Sequence, residues 1–348
     1  MKKKILIIGA NGYLGSILYL YLESKGYSCY NHDIDYFKNN LLYSCKKFRK
    51  LKNNKKNVVI EDIKDFNSVI FLAGFSNDPF GDLKPSQFYK PTVKYTLRVA
   101  KMCKKLGITF IFPSSCSVYG MSNINISLTE NSKTAPVTYY SKNKIEIEDK
   151  LKKISSKDFN PIMLRLATIF GLSPRMRFDI VINMLSGMAL VNNKITLNSN
   201  GLAWRPHLHI YDACQAFYHS LNWKPLKKEK FLMLNVGDNK NNTTIIDIAK
   251  IIQKKLKKCK IEFQNKTDSI FVNKNVTDGV DKRSYKVNFD KLNKTFPKFK
   301  TKWFVKEGIE DLLNNLKTLK LDKKKLTNKK FHRLKYYEFL DKKNKLFF

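Results

Sequence analysis

Tyr140 and Lys144 stand four residues apart in the run Tyr140-Ser141-Lys142-Asn143-Lys144. On a helix, positions i and i+4 share one face, so the phenol and the ammonium would point into one cleft. An ammonium beside a phenol lowers the phenol from its ordinary pKa of ~10 towards working pH. A phenolate so placed can take the proton of a substrate hydroxyl while hydride leaves the same carbon. Upstream, Pro113-Ser114-Ser115-Cys116-Ser117-Val118-Tyr119-Gly120 follows the apolar run Ile108–Phe112, and Ser115 would hydrogen-bond that hydroxyl. A Tyr-x-x-x-Lys spacing alone arises by chance in so lysine-rich a chain, so its weight depends on its company.

That company begins at the amino terminus. Gly9-Ala10-Asn11-Gly12-Tyr13-Leu14-Gly15 lies between an apolar run, Ile5–Ile8, and a helical pattern. Gly9 permits a tight turn, Gly12 lets a backbone approach a pyrophosphate, and Gly15 lets helix and strand pack closely. The helix start then offers free N–H groups to phosphate. Asp33 follows 18 residues after Gly15, at the end of the second apolar run. A carboxylate there accepts from ribose hydroxyls and repels a 2′-phosphate, which favours NAD over NADP. Asn11, Tyr13 and Leu14 belong to the same turn and are taken with it as cofactor contacts, as is Ser114.

These residues require a particular frame. Apolar runs predict strands at Ile5–Ile8, Tyr27–His32, Val58–Ile60, Val69–Ala73, Ile108–Phe112 and Ile162–Arg165. Helical patterns fall between them, one carrying Val93, Leu97, Ala100 and Cys103 on one face, another continuing from Lys144 through Ile147, Leu151 and Ile154. Strands alternating with helices predict an α/β fold, a Rossmann-type doubly wound parallel sheet. After Gly171 the pattern turns irregular, which suits a smaller interleaved C-terminal substrate domain. The expected division is 1–170 for the NAD-binding domain with a returning segment near 203–222, 171–316 mainly for substrate, and 317–348 as a basic helical tail. That tail has 12 Lys/Arg against three acids, yet Phe331, Leu334, Tyr337 and Leu340 recur at helical spacing, so a docked helix is expected.

The chain has 348 residues and a net charge of +37, from 66 Lys+Arg against 29 Asp+Glu. The Lys residues are spread along the whole chain, so the charge reads as a solvated surface and not as a specific nucleic-acid site. Its 43% hydrophobic content supports a real core, and no apolar run approaches the ~18 residues of a membrane span. Gly9, Asn11 and Gly12 interrupt the apolar start too early for a secretory signal, so a cytoplasmic location is expected. Six cysteines without a C-x-x-C pair read as packed thiols. His207 and His209, on an apolar strand, read as core or as support behind the site, and no metal is expected.

Only eight of the cations are Arg, and five of them, Arg165, Arg175, Arg177, Arg205 and Arg283, lie in the half expected to hold substrate. A chain that otherwise uses Lys needs Arg where a planar fork must grip phosphate.

Taken together, these residues resemble the extended short-chain dehydrogenase/reductase family, in its nucleotide-sugar epimerase/dehydratase branch, over roughly residues 3–340. The likeness extends to Leu72-Ala73-Gly74, Leu164–Gly171, Ser173–Asp179, Trp204–Asp212, Asn235-Val236-Gly237 and Asp281-Lys282-Arg283-Ser284-Tyr285. It implies NAD as cofactor, with Asp62 and Ile63 at the adenine and Leu72, Ala73 and Gly74 along the dinucleotide. It implies that Ser115, Tyr140 and Lys144 are catalytic, and that Arg205 and Arg283 grip the diphosphate of a nucleotide-diphosphate sugar. Thr168 and Asn183 would also meet substrate; Arg175 and Arg177 stand open between substrate and surface, and Arg165 reads as structural. A homodimer through helices near 92–106 and 141–154 rests on the same likeness.

Two positions depart from the family pattern: Phe71 stands where His is usual, and Thr92 where Asn is common. Where 4,6-dehydratases carry Asp and Glu, this chain has Cys116 and Ser117, so water removal is not expected. Cys116 lies three residues before Tyr119, off the position of a catalytic Cys, and reads as packed. What remains is redox at one carbon: a 4-epimerase, or a net dehydrogenase or 4-keto reductase. The Ser173–Asp179 stretch resembles members serving surface polysaccharides, GDP-heptose 4-dehydrogenases among them. The rival of another class is a non-catalytic NAD-sensing or nucleic-acid-binding protein on the same fold.

Overall fold

The computed structural model describes residues 2–51, 57–75, 85–263, 276–277, 280–281 and 283–346. Six parallel strands form the central sheet: β1 (Lys4–Ile8), β2 (Ser28–His32), β3 (Ser68–Phe71), β4 (Thr109–Ser115), β5 (Ile162–Leu166) and β6 (Leu232–Val236), in the order β6-β5-β4-β3-β1-β2. Continuous apolar runs suit strands covered on both faces. Ile5 and Ile7 point into the layer containing α1 (Tyr13–Ser24), while Leu6 and Ile8 point into the opposite layer. That second layer holds α2 (Pro85–Leu106) and α3 (Tyr139–Ile154), which bring Val93, Ala100, Cys103, Ile147 and Leu151 onto Val69, Phe71, Phe110 and Phe112.

The expected strand at Val58–Ile60 does not form. Its last residue opens a single helical turn, Ile60–Ile63, because the Asp62 carboxylate accepts the Val59 N–H at 2.8 Å and starts a helix. The edge beside β2 is instead held by one parallel bridge, Asn31 to Lys50. β6 is not among the strands the apolar runs predict. The chain rejoins the main sheet there, at Leu232–Val236, beyond the segment near 203–222 expected to return.

The segment near 203–222, expected to return to the first domain, consists of the strand Trp204–His209, which lies outside the main sheet, and the helix Ile210–Ser220, which packs on α1. The strand joins a small sheet with Thr168–Phe170 and Asn242–Thr244, while Lys194–Leu197 pairs with Lys260–Phe263. Near the carboxyl end, the short helix Lys323–Thr327 is followed by α4 (Arg333–Asp341). Phe331, Tyr337 and Leu340 are buried, so this basic segment docks despite its charge. Among the described residues, no helix is long and apolar enough to cross a membrane, and no group of three or more His, Cys, Asp or Glu could hold a metal.

Candidate active site

Strand order reverses between β1 and β3, and α/β sheets open a crevice at the carboxyl ends of such strands. A cavity of about 1010 Å³ lies there. Its lining gathers, from distant parts of the chain, Gly9, Gly12, Tyr13, Leu14, Gly15, Asp33, Leu72, Ala73, Gly74, Ser114, Ser115, Tyr140 and Lys144. It also includes Thr168, Arg177, Arg205 and Arg283. Five sequence-derived candidates do not line it: Asn11, Asp62, Ile63, Arg175 and Asn183.

At one end the glycine turn is fixed by close backbone approach. Gly9 has φ +96°, and a Cβ there would sit 2.8 Å from the Ala73 nitrogen. A Cβ on Gly15 would meet the Gly9 carbonyl oxygen at 2.4 Å, so helix and turn can touch only because both side chains are missing. Gly12 begins α1 without any side-chain cap, which leaves first-turn amides facing the cavity to an incoming anion. Asp33 braces this turn: its two oxygens accept the N–H of Asn11 at 2.8 Å and of Asp35 at 2.7 Å. Burial pushes the Asp33 carboxyl up to about 6 against those two hydrogen bonds. Asn11 therefore acts through Asp33 without lining the cavity. Asp62 caps its own helical turn and Ile63 is fully buried beneath it, so the predicted adenine contacts lie off the cavity wall.

In the middle, α3 presents Tyr140 and Lys144 on one face. Thr138 starts the helix, accepting the Ser141 N–H at 3.2 Å while the Ser141 hydroxyl accepts the Thr138 N–H at 3.1 Å. The Lys144 ammonium lies 5.4 Å from the Tyr140 ring centre and 4.5 Å from that of Phe112, and donates to the Pro113 carbonyl at 2.7 Å. Burial pushes this ammonium down to about 7, and Glu148, one turn on, opposes that shift. Ser115 ends β4, its hydroxyl accepting the Ser117 N–H at 3.2 Å.

Behind this wall runs a saturated polar network. Glu148 is fully buried and takes two hydrogen bonds from Arg165, at 3.0 and 2.7 Å, and one from the Ser114 hydroxyl at 2.5 Å. Arg165 also donates to the Tyr119 hydroxyl, which donates to Asn235. Ser114 is thereby tied to α3, and Arg165 is framework. The Cys116 thiol is buried, donates to the Arg165 carbonyl at 3.2 Å and is pushed well above its ordinary pKa by burial. It does not line the cavity, whereas Ser117 does, and the Ser117 hydroxyl takes no hydrogen bond among the described residues.

At the far end, Arg205 donates to the Trp204 carbonyl at 2.8 Å and lies 5.4 Å over the Tyr285 ring. Arg283 and Thr168 line the same region of the second half; Lys282, in the motif with Arg283, lies outside the described residues. Arg177 forms a bidentate pair with Asp179, at 3.0 and 3.1 Å. Asn183 is fully buried and brackets Tyr13, Arg177 and Gly171, each at 3.0 Å, so it positions the wall from behind. Arg175 is 5% exposed and reaches under the loop at Lys38, accepted by that carbonyl at 3.4 Å. His207 and His209 are buried, and their ring nitrogens take no hydrogen bond among the described residues; burial pushes both down to about 3.

The carboxyl-terminal segment was not expected at the site, yet His332, Arg333 and Tyr337 line the cavity. The available signal was the rarity of Arg: a lone Arg333 among many Lys residues deserved the same weight as Arg205 and Arg283.

A parallel sheet with a glycine turn at its switch point and a Tyr–Lys pair on the facing helix defines a dinucleotide-binding α/β protein of the Rossmann class. More narrowly, the chain belongs to the NAD dependent epimerase/dehydratase family, whose model matches residues 5–237. The bifunctional polymyxin resistance protein ArnA of Wigglesworthia glossinidia brevipalpis is 28% identical over 277 residues, 72% of this chain and 41% of that protein. UDP-glucose 4-epimerase 2 of Arabidopsis thaliana is 26% identical over 192 residues, 50% of this chain and 54% of its own length. The chain thus spans only about half, or less, of those two relatives. The solved UDP-glucuronic acid 4-epimerase from Bacillus cereus, in complex with UDP-glucuronic acid and NAD, superposes with a TM-score of 0.71 at 21% identity, covering 91% of this chain and 99% of that one. That likeness concerns the fold.

Proposed function

We propose that this protein is an NAD-dependent enzyme working by hydride transfer at one carbon, C4, of a nucleotide-diphosphate sugar, as an epimerase. The observation that carries the reading is one cavity with the glycine turn and Asp33 at one end, Ser115, Tyr140 and Lys144 in the middle, and Arg205 and Arg283 at the other. The uncapped start of α1, the Cβ-free turn and the Asp33 carboxylate fit NAD. Bound there, NAD supplies an acceptor that takes a hydride and can return it.

The chain's own residues do the rest. The first-turn amides of α1 receive the cofactor diphosphate, and Asp33 accepts from the ribose hydroxyls. Tyr140 takes the proton of the sugar hydroxyl and Ser115 hydrogen-bonds that oxygen. Lys144, held by the Pro113 carbonyl, keeps its positive end beside the Tyr140 ring. Arg205 and Arg283 grip the sugar nucleotide's diphosphate, with Thr168 beside them. The absence of a carboxylate at Cys116 and Ser117 argues against water removal. The Bacillus cereus 4-epimerase, whose solved complex holds a UDP-sugar and NAD, supports the substrate class.

The same proposal places the reaction in the cytoplasm, on a sugar destined for surface polysaccharide, in a homodimer joined through the adjacent helices α2 and α3; sedimentation tests the last point. Thermal shift with NAD and with UDP-, GDP-, dTDP- and CDP-sugars, against a DNA oligomer, tests the function. Stabilisation by NAD and one sugar nucleotide is expected, and stabilisation by DNA alone would overturn the reading. With the stabilising sugar, C4 inversion without accumulating NADH identifies the epimerase. Stoichiometric NADH identifies a net dehydrogenase.

A further inference from the structure

Arg333 is 3% exposed, is one of the residues lining the cavity, and has two buried terminal guanidinium nitrogens with no hydrogen-bond partner among the described residues. Burying a charged group with open donors is unfavourable unless something completes it. The neighbouring acids do not. Asp179 is already bidentate with Arg177 and takes from Arg333 the backbone N–H, at 3.1 Å, and nothing from its terminal nitrogens. Asp33 takes a backbone amide on each oxygen and receives no hydrogen bond from the terminal nitrogens of Arg333. The guanidinium centre instead rests 3.5 Å over the Phe37 ring, in the loop that follows Asp33.

The position is held from several sides. Asn40 donates to the Lys330 carbonyl at 3.3 Å, the Phe178 N–H donates to the Phe331 carbonyl at 2.9 Å, and His332 bonds the Leu326 carbonyl at 2.7 Å. These contacts wedge residues 326–337 between the loop after β2 and the loop before Val181. Arg333 so fixed shares the cavity with the uncapped start of α1 and with Arg177. Burial and the Arg177 charge pull the guanidinium down to about 10, which leaves it protonated at neutral pH.

We propose that Arg333 is a cofactor-binding residue supplied by the carboxyl-terminal segment, its open fork receiving the diphosphate of the dinucleotide across from the glycine turn. A guanidinium fork and a row of helix amides are the two donor sets best suited to a diphosphate. The carboxyl-terminal segment is then a wall of the cofactor site, beyond its role in packing.

The inference rests on the NAD-dependent reading, and the test separates the two. Calorimetric titration of NAD, ADP and UDP into wild type and R333M, with unfolding of each protein without ligand, reads the role directly. Loss of a charge-assisted contact predicts NAD and ADP binding weakened about 10- to 100-fold, with UDP unchanged. The ligand-free R333M melts no lower than wild type, because the orphaned charge is gone. R333K, which keeps the charge and loses the fork, should fall between. Equal NAD affinity in wild type and R333M would overturn the role of Arg333 alone. So would a lower ligand-free melting temperature with NAD, ADP and UDP all weakened, the mark of a packing residue, or a loss confined to UDP. Wild type that binds no NAD would overturn the functional reading itself.

Discussion

Two buried arginines, each 3% exposed, flank the cavity and are treated in opposite ways. Arg165, behind the sheet-side wall, has a bidentate carboxylate, a phenol and a backbone carbonyl as partners. Arg333, on the carboxyl-terminal wall, leaves its terminal nitrogens without a hydrogen-bond partner among the described residues. Burial alone therefore does not distinguish framework from binding group; the completeness of the hydrogen bonding does. A saturated charge holds elements together, while an unsaturated one on a residue of the cavity wall leaves capacity for a ligand. Lys144 is intermediate, with one backbone acceptor, two aromatic rings beside it and the Glu148 carboxylate one turn on.

The contrast can be broken by mutation. Glu148→Ala would strand the buried Arg165 and release Ser114, costing about 3–5 kcal/mol in urea unfolding; a loss under ~1 kcal/mol would mean the network is not framework. Gly15→Ala places a methyl against the Gly9 carbonyl, and should cost about 1–3 kcal/mol and weaken NAD binding, read by unfolding and titration. Unchanged NAD affinity in that variant would show that the turn tolerates displacement.

Lys144 gives a smaller, pH-dependent effect. Its pKa falls to about 7 on folding from an ordinary 10.5, so the unfolded chain holds the extra proton between those values. Its contribution to stability must then rise with pH through that window, by about 1 kcal/mol from pH 7 to 8. Lys144→Met removes this rise, and parallel pH profiles for the two proteins would contradict it. R333M, at the end of the scale, should cost no stability at all, the opposite of Glu148→Ala although each alters a buried charge.

The glycine turn, Asp33 and the Tyr140–Lys144 pair were legible because each is a local spacing whose consequence is fixed by one strand end or one helix face. Elements made by distant pairing were not. The bridge at Lys50 depends on Asn31, and the docking of Arg333 depends on Asp179, Asn40 and Phe178. Arg175 and Asn183 show the converse limit. Their residue types suit a substrate site, yet Arg175 reaches the Lys38 carbonyl and Asn183 brackets Tyr13, both behind the wall. The scarcity of Arg was informative, but it had to be applied to the whole chain, including the lysine-rich end where Arg333 lies.

The central claim is that Tyr140 exchanges the substrate proton in a cavity that binds NAD independently of it. Tyr140→Phe removes one oxygen and little packing, so NAD titration and turnover can be measured on the same preparation. The account predicts wild-type NAD affinity with kcat lowered at least ~100-fold on whichever sugar nucleotide the wild type converts. Turnover retained near the wild-type rate, with NAD bound, would contradict it.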